Sequence, residues 1–229
     1  MSQPATSVLA PAAFASALNA LAPEMEGVTF IYGPATGATP ESITSRLQAG
    51  EQFDLVLLPE ALVQAELSVG RLVGAPARVF ASTVAFCVPE GAACPDLSTE
   101  AELSKALRAA ATIGLSAAGS GKFFRDVLLP ALGLAEAVSA KLHTITDRPV
   151  GRAVAEGQVA LGFQQKAELL EVEGLTVIDD LADIARNDTW IAVARRPGSD
   201  AVAAKTLVDH IRSASARQSL LAHGLTPAN

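Results

Sequence analysis

The chain has 229 residues, and half of them are hydrophobic, so it is long enough to bury a substantial core. Aromatic residues make up only 4% of the sequence, while glycine and alanine are plentiful, a balance that favours helices packed closely on sheets. The formal net charge is −7, and no run of lysine and arginine exceeds two residues. A nucleic acid would find no basic track to bind, so we expect no nucleic-acid partner.

The N-terminus and the apolar segments bear on location. The first six residues contain no basic segment followed by an apolar one, and no apolar stretch reaches the length of a bilayer span. We therefore expect a cytoplasmic protein without membrane insertion, or a periplasmic one if a signal peptide has been removed. An ABC permease is an expected partner only if the native form is exported.

The cysteines and histidines lack the spacing of metal ligands. Cys87 lies in an apolar run and Cys94 in the Pro/Gly-rich loop after it. We expect a buried thiol and a loop thiol, although a short-loop disulfide would be possible in an oxidising compartment. Because His143, His210 and His223 do not cluster and match no triad, we expect neither a metal nor a cofactor.

Short apolar runs and helical patterns alternate at the start of the chain. Residues 7–10, 28–32 and 54–58 are predicted strands, and helical patterns separate them. Thr39 is a predicted helix N-cap, with Pro40 at the first helical position. This alternation predicts right-handed βαβ units with parallel strands.

Two longer apolar runs interrupt the alternation, at residues 79–88 and 189–194. Each is long enough to cross between two lobes. We therefore predict one lobe from residues 1–80 and 191–229, and a second from residues 81–190.

The middle of the chain repeats the alternation. A loop of small residues follows a predicted strand at 112–115 and precedes a helix that is predicted to start at Lys122. The remaining predicted elements are helices at 99–109, 149–156, 199–213 and 215–223, and strands at 141–145, 159–163 and 176–178.

Several segments occur in an order that resembles a known family. They are the opening strand with its Ala-Pro-Ala-Ala-Phe loop, LQAGEQFDLV at 47–56, PDLST at 95–99, residues 116–123, VAEGQVALGF at 154–163 and HGLTP at 223–227. Over nearly the whole chain this order resembles the molybdate-binding-protein-like branch of type II periplasmic binding proteins. The resemblance implies an α/β fold with two lobes, each a mixed, mainly parallel sheet flanked by helices. Two crossover strands would join the lobes, with the ligand in the cleft between them.

Two positions depart from the pattern of that family. Its first loop usually ends in a hydroxyl residue that binds an oxyanion, whereas this chain has Ala12 and Ala13 there. The tyrosine of the family falls on Gln165, whose amide can both donate and accept. We therefore expect a ligand with carboxylates in place of molybdate, with Ala13 still among the contacts.

The loop that precedes Lys122 is the most informative candidate site. Its small residues would let backbone N–H groups approach an anion, and the following helix would offer its positive end. The alternative is an ordinary capping loop with a solvated lysine. Walker spacing is absent, so we predict no nucleotide. The candidate contacts here are Ser116, Ser120, Gly121 and Lys122.

Other candidate contacts come from the predicted ends of strands and starts of helices. Three of them have a structural alternative: Thr39 as a simple cap, Ser82 as a packing residue, and Arg148 as a surface residue. These candidates are Thr36, Thr39, Ser82, Arg148, Val150, Gln164 and Gln165.

Two functions from different classes follow. The first is a solute-binding protein that closes on a small anionic ligand, a di- or tricarboxylate, and needs no catalytic base. The alternative is a cytoplasmic isomerase similar to aconitate isomerase, which shifts an allylic proton between cis and trans tricarboxylates. Its acid/base group would be Lys122, Glu41 or Glu60, and the sequence does not choose among them. A cytoplasmic ligand sensor is a third possibility.

Overall fold

The computed structural model describes residues 6–37, 39–117 and 119–228. They fall into two compact units, of which the first holds the residues up to Ser82 and those from Thr189 onward. The second unit is Thr83–Asp188. Both boundaries lie two residues from those expected from the two long apolar runs.

Strands and helices alternate through much of both units. The strands are β1 (Thr6–Pro11), β2 (Val28–Gly33), β3 (Leu55–Pro59), β4 (Val73–Ser82), β5 (Val84–Pro89), β6 (Ile113–Ser116), β7 (Leu142–Ile145), β8 (Leu161–Gln165), β9 (Leu175–Ile178), β10 (Thr189–Arg195) and β11 (Leu225–Pro227). The helices are α1 (Ala15–Leu21), α2 (Ile43–Gln48), α3 (Glu60–Ser68), α4 (Glu100–Ala109), α5 (Gly119–Phe123), α6 (Leu129–Ala131), α7 (Ala135–Val138), α8 (Val150–Ala155), α9 (Lys166–Leu170), α10 (Ala201–Ile211) and α11 (Ala214–Ala222). A π-helical segment, Phe124–Leu128, joins α5 to α6.

The sheet of the first unit has six strands in the order β11-β4-β10-β3-β1-β2. Strands β1, β2 and β3 are parallel, as the βαβ pattern predicts, so their carboxyl ends share one edge. Strand β10 runs antiparallel to both β3 and β4. The apolar faces of β1 and β3 are fully buried, with Leu9, Val56 and Leu58 in one core cluster.

The sheet of the second unit has five strands in the order β7-β6-β8-β5-β9. Strands β7, β6 and β8 are parallel, whereas β5 is antiparallel to β8 and β9. The core on one face is built around Phe86, Phe124 and Phe163, whose rings meet within about 6 Å of one another. Both sheets are thus mixed and not mainly parallel. Antiparallel pairings outnumber parallel ones in the first sheet and equal them in the second. The reason is that the strands next to the unit boundaries, β4, β5, β9 and β10, pair only antiparallel.

The elements between β3 and β5 differ from the prediction. The run at 79–88 is not one strand: it is divided between β4 and β5, which belong to different sheets, and Thr83 lies between them. Strand β4 begins earlier, at Val73, and α3 was not predicted at all. Helix α3 buries only Val63 and Glu66, so its sequence carries little helical periodicity to detect.

Helix α8 packs tightly on the second sheet because glycines stand beneath it. A Cβ on Gly162 would lie 2.7 Å from both Cys87 Sγ and Val154 Cγ2, and one on Gly114 would lie 3.2 Å from Val150 Cγ1. Val150 is fully buried by this packing. Cys87 is buried here with a free thiol, and burial raises the pKa of that thiol to about 12. The close approach fixes the height of the first turn of α8 above the sheet.

Candidate functional site

The carboxyl ends of the three parallel strands in the second sheet lie side by side. Ser116 at the end of β6 is paired with Ile145 at the end of β7, and Leu115 is paired with Phe163 of β8. Ser116 therefore lies next to Gln164 along this edge. In open α/β sheets, ligands bind outside the carboxyl ends of the strands. We call this edge, from Ser116 to Gln165, the second-sheet edge.

The segment after β6 is shorter than predicted, because α5 begins at Gly119 and not at Lys122. Ser120 and Gly121 are buried inside the first turn. The Oγ atoms of Ser116 and Ser120 lie 3.0 Å apart, and the Gly121 N–H donates to Ser116 Oγ over 3.4 Å. A Cβ on Gly121 would lie only 1.8 Å from the Ser116 carbonyl oxygen, so the helix starts directly against the strand end because this residue is glycine.

Lys122 is exposed on α5. Within residues 6–37, 39–117 and 119–228, its side chain takes part in no hydrogen bond or ion pair. Its ammonium group is therefore available to an anion. Whether Lys122 contacts a ligand or is simply a solvated surface lysine stays a prediction.

Arg148 lies in the segment before α8 and is exposed. Its guanidinium donates to Asp147 at 2.7 and 2.9 Å and to Glu156 at 2.9 Å. The bond to Arg148 is the main cause that lowers the pKa of Asp147. Because both acids already compensate this charge, Arg148 would have to release one of them to bind a carboxylate ligand.

The two glutamines do not follow a strand, as predicted, but belong to β8. Gln164 is only 3% exposed, and its Oε1 accepts from the Gly151 N–H at 3.3 Å. Gln165 pairs with Val84 of β5 and occupies the N-cap position of α9 without a side-chain hydrogen bond to that helix; its side chain is half-buried. Gln164 thus connects the strand to the first turn of α8, and Gln165 is the amide closer to solvent. Val150 can reach a ligand only through its backbone, because its side chain is fully buried.

Glu168 was missed by sequence reasoning. It lies in the first turn of α9, and burial raises its pKa, while a hydrogen bond with the Gln164 side chain opposes that rise. A glutamate in the first turn after an apolar strand is too common to mark a site. Only the fold shows that its side chain is half-buried.

In the first unit, the candidates of the loop after β2 are separated from the helix cap. Thr36 and Thr39 are exposed, and Thr39 does not cap α2, so that prediction was wrong. The cap is Ser42, fully buried, whose Oγ donates to the Gly37 carbonyl at 2.9 Å and accepts from the Ser45 N–H at 3.2 Å. Pro40 follows Thr39 in a turn, and the helix begins three residues later.

The remaining first-unit candidates lie at the same edge as the end of β3. Ala13 lies in a short 3-10 segment directly after β1. Ser82 ends β4, is 1% exposed, and pairs with Thr189 and Leu225. Glu60, a candidate base, accepts from Arg78 at 2.6 and 2.9 Å, so its carboxylate is already compensated.

Two cavities of about 400 Å³ lie in the first unit, one at the amino ends of β1 and β2 and the other against β4, β10 and α10. One is lined by Glu24, Asp54 and Asp200 beside His210, and these carboxylates disfavour an anionic ligand. The other is lined by Arg195 and three further charged side chains, but the cations among them already bind protein groups. Those further charged residues are Lys205, Asp209 and Arg212. Neither cavity includes a predicted site residue.

The described ranges contain no group of three or more His, Cys, Asp or Glu side chains arranged to hold a metal ion. In the same ranges, no helix has the length and apolar composition needed to cross a membrane.

Residues 6–226 match the family described as bacterial extracellular solute-binding proteins. The chain belongs to this family. The resemblance to the molybdate-binding-like type II periplasmic binding proteins is confirmed, as is the α/β two-sheet fold. The substrate-binding domain described as that of a molybdenum ABC transporter from Clostridium difficile superposes with a TM-score of 0.79, at 17% identity, over 99% of this chain and 100% of that one.

Two further relatives of this solute-binding protein are informative. The periplasmic molybdate-binding protein of Azotobacter vinelandii has a TM-score of 0.70 and 16% identity, over 98% of this chain and all of that one. A curated sequence named aconitate isomerase, from a Pseudomonas species, is 30% identical over 98% of this chain and 89% of its own length.

Proposed function

We propose that this solute-binding protein binds a small di- or tricarboxylate at the second-sheet edge. The observation that carries the proposal is the full-length relative named aconitate isomerase, since 30% identity over 98% of the chain spans every element of both units. The neighbours of the same fold that are described as molybdate-binding share only 16–17% identity. They support a small anion as the ligand class, and the relative favours a carboxylate within it.

The residues of the second-sheet edge suit a planar anion. The Ser116 hydroxyl is half-buried, and either it or the adjacent Ser120 hydroxyl can turn its proton toward a ligand. The exposed Lys122 ammonium adds a positive charge two residues after Ser120 on α5, and the Gln165 side chain carries an amide group at the end of the neighbouring strand. Charge-assisted hydrogen bonds of this kind contribute about 1.5–3 kcal/mol each.

The second candidate function is isomerisation of the bound tricarboxylate, favoured by the name of the same relative. The reaction removes a proton from the carbon next to the double bond and returns it to the far end of the allylic system, so no other reactant is needed. One residue that accepts and then donates the proton suffices. Lys122 stays a candidate for that role, whereas the carboxylate of Glu60 is committed to Arg78.

A ligand screen followed by a turnover assay tests both functions. Thermal shift is measured with molybdate, tungstate, sulfate, phosphate, citrate, cis-aconitate and trans-aconitate. We expect stabilisation by the carboxylates and none by molybdate or tungstate. Each aconitate isomer is then incubated with the protein in deuterated water, and the vinyl proton signals of both isomers are followed by NMR.

The outcomes separate the candidates. Stabilisation without interconversion supports binding alone, and interconversion of the two isomers supports the isomerase, with deuterium incorporation reporting exchange of the transferred proton with water. Submicromolar binding of molybdate or tungstate, with no response to any carboxylate, would reject the proposal.

The predicted cytoplasmic location is tested separately, by fractionation of cells that express the full natural gene. A permease partner is proposed only for an exported form.

A further inference from the structure

The cavity against β4, β10 and α10 is lined mainly by small apolar side chains. The residues of α10 that line it recur three or four positions apart, so they form one face of the helix. This face carries Ala201 and Ala204, with the buried Val208 one turn further along. Ala75 and Ala77 line the cavity from β4. Because the alanine side chains are short, the helix and the two strands leave a space of about 400 Å³ between them.

A shift of register between β10 and β4 brings Arg195 to this cavity. From Val193 to Arg195, β10 advances by two residues, whereas their partners on β4 are four residues apart. The additional residues of β4 include Gly74, whose φ of +84° favours glycine. A Cβ on Gly74 would lie 3.5 Å from both Nε and Nη2 of Arg195. One edge of the guanidinium therefore lies against a residue without a side chain, which leaves space next to that edge.

The two arginines of the cavity keep their positive charges uncompensated. Arg195 donates through Nη1 to the Ser199 carbonyl at 2.8 Å, and Arg212 donates through Nε to the Arg78 carbonyl at 2.9 Å and through Nη2 to the same oxygen. A backbone carbonyl has no net charge, so these bonds orient the guanidiniums and do not neutralise them. Within the described ranges, neither guanidinium forms an ion pair with a carboxylate.

Both arginines also keep donors for a ligand. Arg195 retains Nε and Nη2, the two donors beside Gly74, and a carboxylate can meet such a pair bidentately. Arg212 retains Nη1. The remaining charges of the cavity compensate each other, because Lys205 forms an ion pair with Asp209 on the same helix. The cavity is therefore positively charged at the arginines and apolar along the alanines.

We propose that this cavity binds a small aliphatic carboxylate, with its carboxylate on Arg195, the charge of Arg212 nearby, and its apolar chain against the alanines of β4 and α10. A volume of about 400 Å³ is at the lower end for small-molecule sites, so the ligand is small. A compact inorganic anion would leave the apolar walls unused. This site lies wholly in the first unit and does not depend on the function proposed for the second-sheet edge.

Hexanoate is the probe for this site, and ¹H–¹⁵N NMR reports where it binds. We expect the amide signals of Gly74 and Ala204 to shift and to saturate at millimolar hexanoate. 1-Hexanol has the same chain without the charge, and acetate has the charge without the chain. Each should bind at least about tenfold more weakly, the equivalent of one lost charge-assisted hydrogen bond. Inorganic phosphate is the test of a purely electrostatic site.

Two variants separate the roles of charge and space. Arg195→Gln should weaken hexanoate binding by at least about tenfold. Its matched control is Arg217→Gln, which removes the same charge from an exposed position of α11. Ala204→Leu fills the cavity and leaves both of its arginines in place, so it should abolish the shift at Gly74. Its control is Ala222→Leu, at an exposed position at the end of α11. Denaturant unfolding verifies that all four variants are folded.

Each outcome supports or overturns the site. Signals of Gly74 and Ala204 that do not shift, or that shift equally with 1-hexanol, overturn it. Equal weakening in R195Q and R217Q, or in A204L and A222L, would show a general effect of the substitutions and would overturn it as well. A response to phosphate as strong as that to hexanoate would overturn the ligand class. Because the probe is followed at Gly74 and Ala204 themselves, a failure of binding at the second-sheet edge leaves this inference standing.

Discussion

In both sheets the chain passes close to backbone near the end of a parallel strand, but the polar side chains there make different hydrogen bonds. In each unit a glycine lets the chain return closely against backbone: a Cβ on Gly33 would lie 2.4 Å from the Glu41 carbonyl oxygen, and one on Gly121 would lie 1.8 Å from that of Ser116. In the first unit the buried hydroxyl of Ser42 serves the loop itself, bonding Gly37 and Ser45. In the second unit the hydroxyls of Ser116 and Ser120 bond each other.

This difference bears on which of the two edges is the better candidate for contacting a ligand. A hydroxyl that donates to a buried carbonyl is costly to redirect, because the carbonyl would be left unpaired. When two hydroxyls bond each other, one of them donates and the other accepts. The accepting hydroxyl can then donate its own proton to a ligand while the bond between the two hydroxyls is kept. The second-sheet edge is therefore the better candidate for ligand contacts, and substitutions at the two edges should differ in kind.

The largest expected effect is on stability at the second-sheet edge. Gly121→Ala places a methyl group where the Ser116 carbonyl oxygen already lies, and backbone has to move. We expect the free energy of unfolding to fall by about 3 kcal/mol, at the upper end for overpacking. Denaturant unfolding measures it. Gly119→Ala is the control, because its Cβ would meet nothing within 4 Å; equal stability of the two variants would show that the strand end and helix start are not in this contact.

The next effect is on binding alone. Lys122→Ala should weaken binding of the stabilising carboxylate by about 1.5–3 kcal/mol, the size of a charge-assisted hydrogen bond, and leave the unfolding free energy within about 0.5 kcal/mol of the wild type. Isothermal calorimetry reports the first quantity and denaturant unfolding the second. Lys105→Ala, on the exposed face of α4, should bind as the wild type does. Unchanged affinity in K122A would show that Lys122 is a solvated surface lysine that does not contact the ligand.

A smaller effect distinguishes the true helix cap of the first unit from the predicted one. Ser42→Ala removes the bonds to the Gly37 carbonyl and the Ser45 N–H, so we expect a loss of about 1 kcal/mol in the free energy of unfolding. Thr39→Ala, at the position that the sequence favoured, should change it by less than about 0.5 kcal/mol. The reverse order would mean that α2 starts earlier than Ile43.

The sequence predicts the structure well where a local pattern of residues decides it, and less well where contacts between residues distant in the sequence decide it. Parallel β1, β2 and β3 follow from alternation alone, and the helix expected at 99–109 is found as α4, which Thr99 caps. The cap of α2 was misplaced because Thr39-Pro40 is a strong local signal, whereas Ser42 is chosen by its burial and its bond to Gly37. Likewise, no local feature shows that Gln164 points inward to Gly151, since that depends on how closely α8 approaches β8.

The smallest effect expected is a change in the pH dependence of stability through Glu168. Its pKa in the folded protein is raised above the ordinary value of 4.5, chiefly by burial. The folded state therefore holds this proton more tightly than the unfolded state does. Stability from that proton is fully present below the ordinary value and is lost as pH rises through the folded value.

Glu168→Gln carries no such proton, so the wild type and E168Q should be nearly equally stable at acid pH. Between the two pKa values the wild type should lose stability relative to E168Q, and the difference should then stay constant toward neutral pH. Denaturant unfolding at several pH values measures this, with Glu171→Gln as the exposed control. If the difference in stability between the wild type and E168Q is constant over the whole pH range, Glu168 is exposed to water in the folded protein. Only a carboxyl group whose surroundings change on folding makes the stability depend on pH.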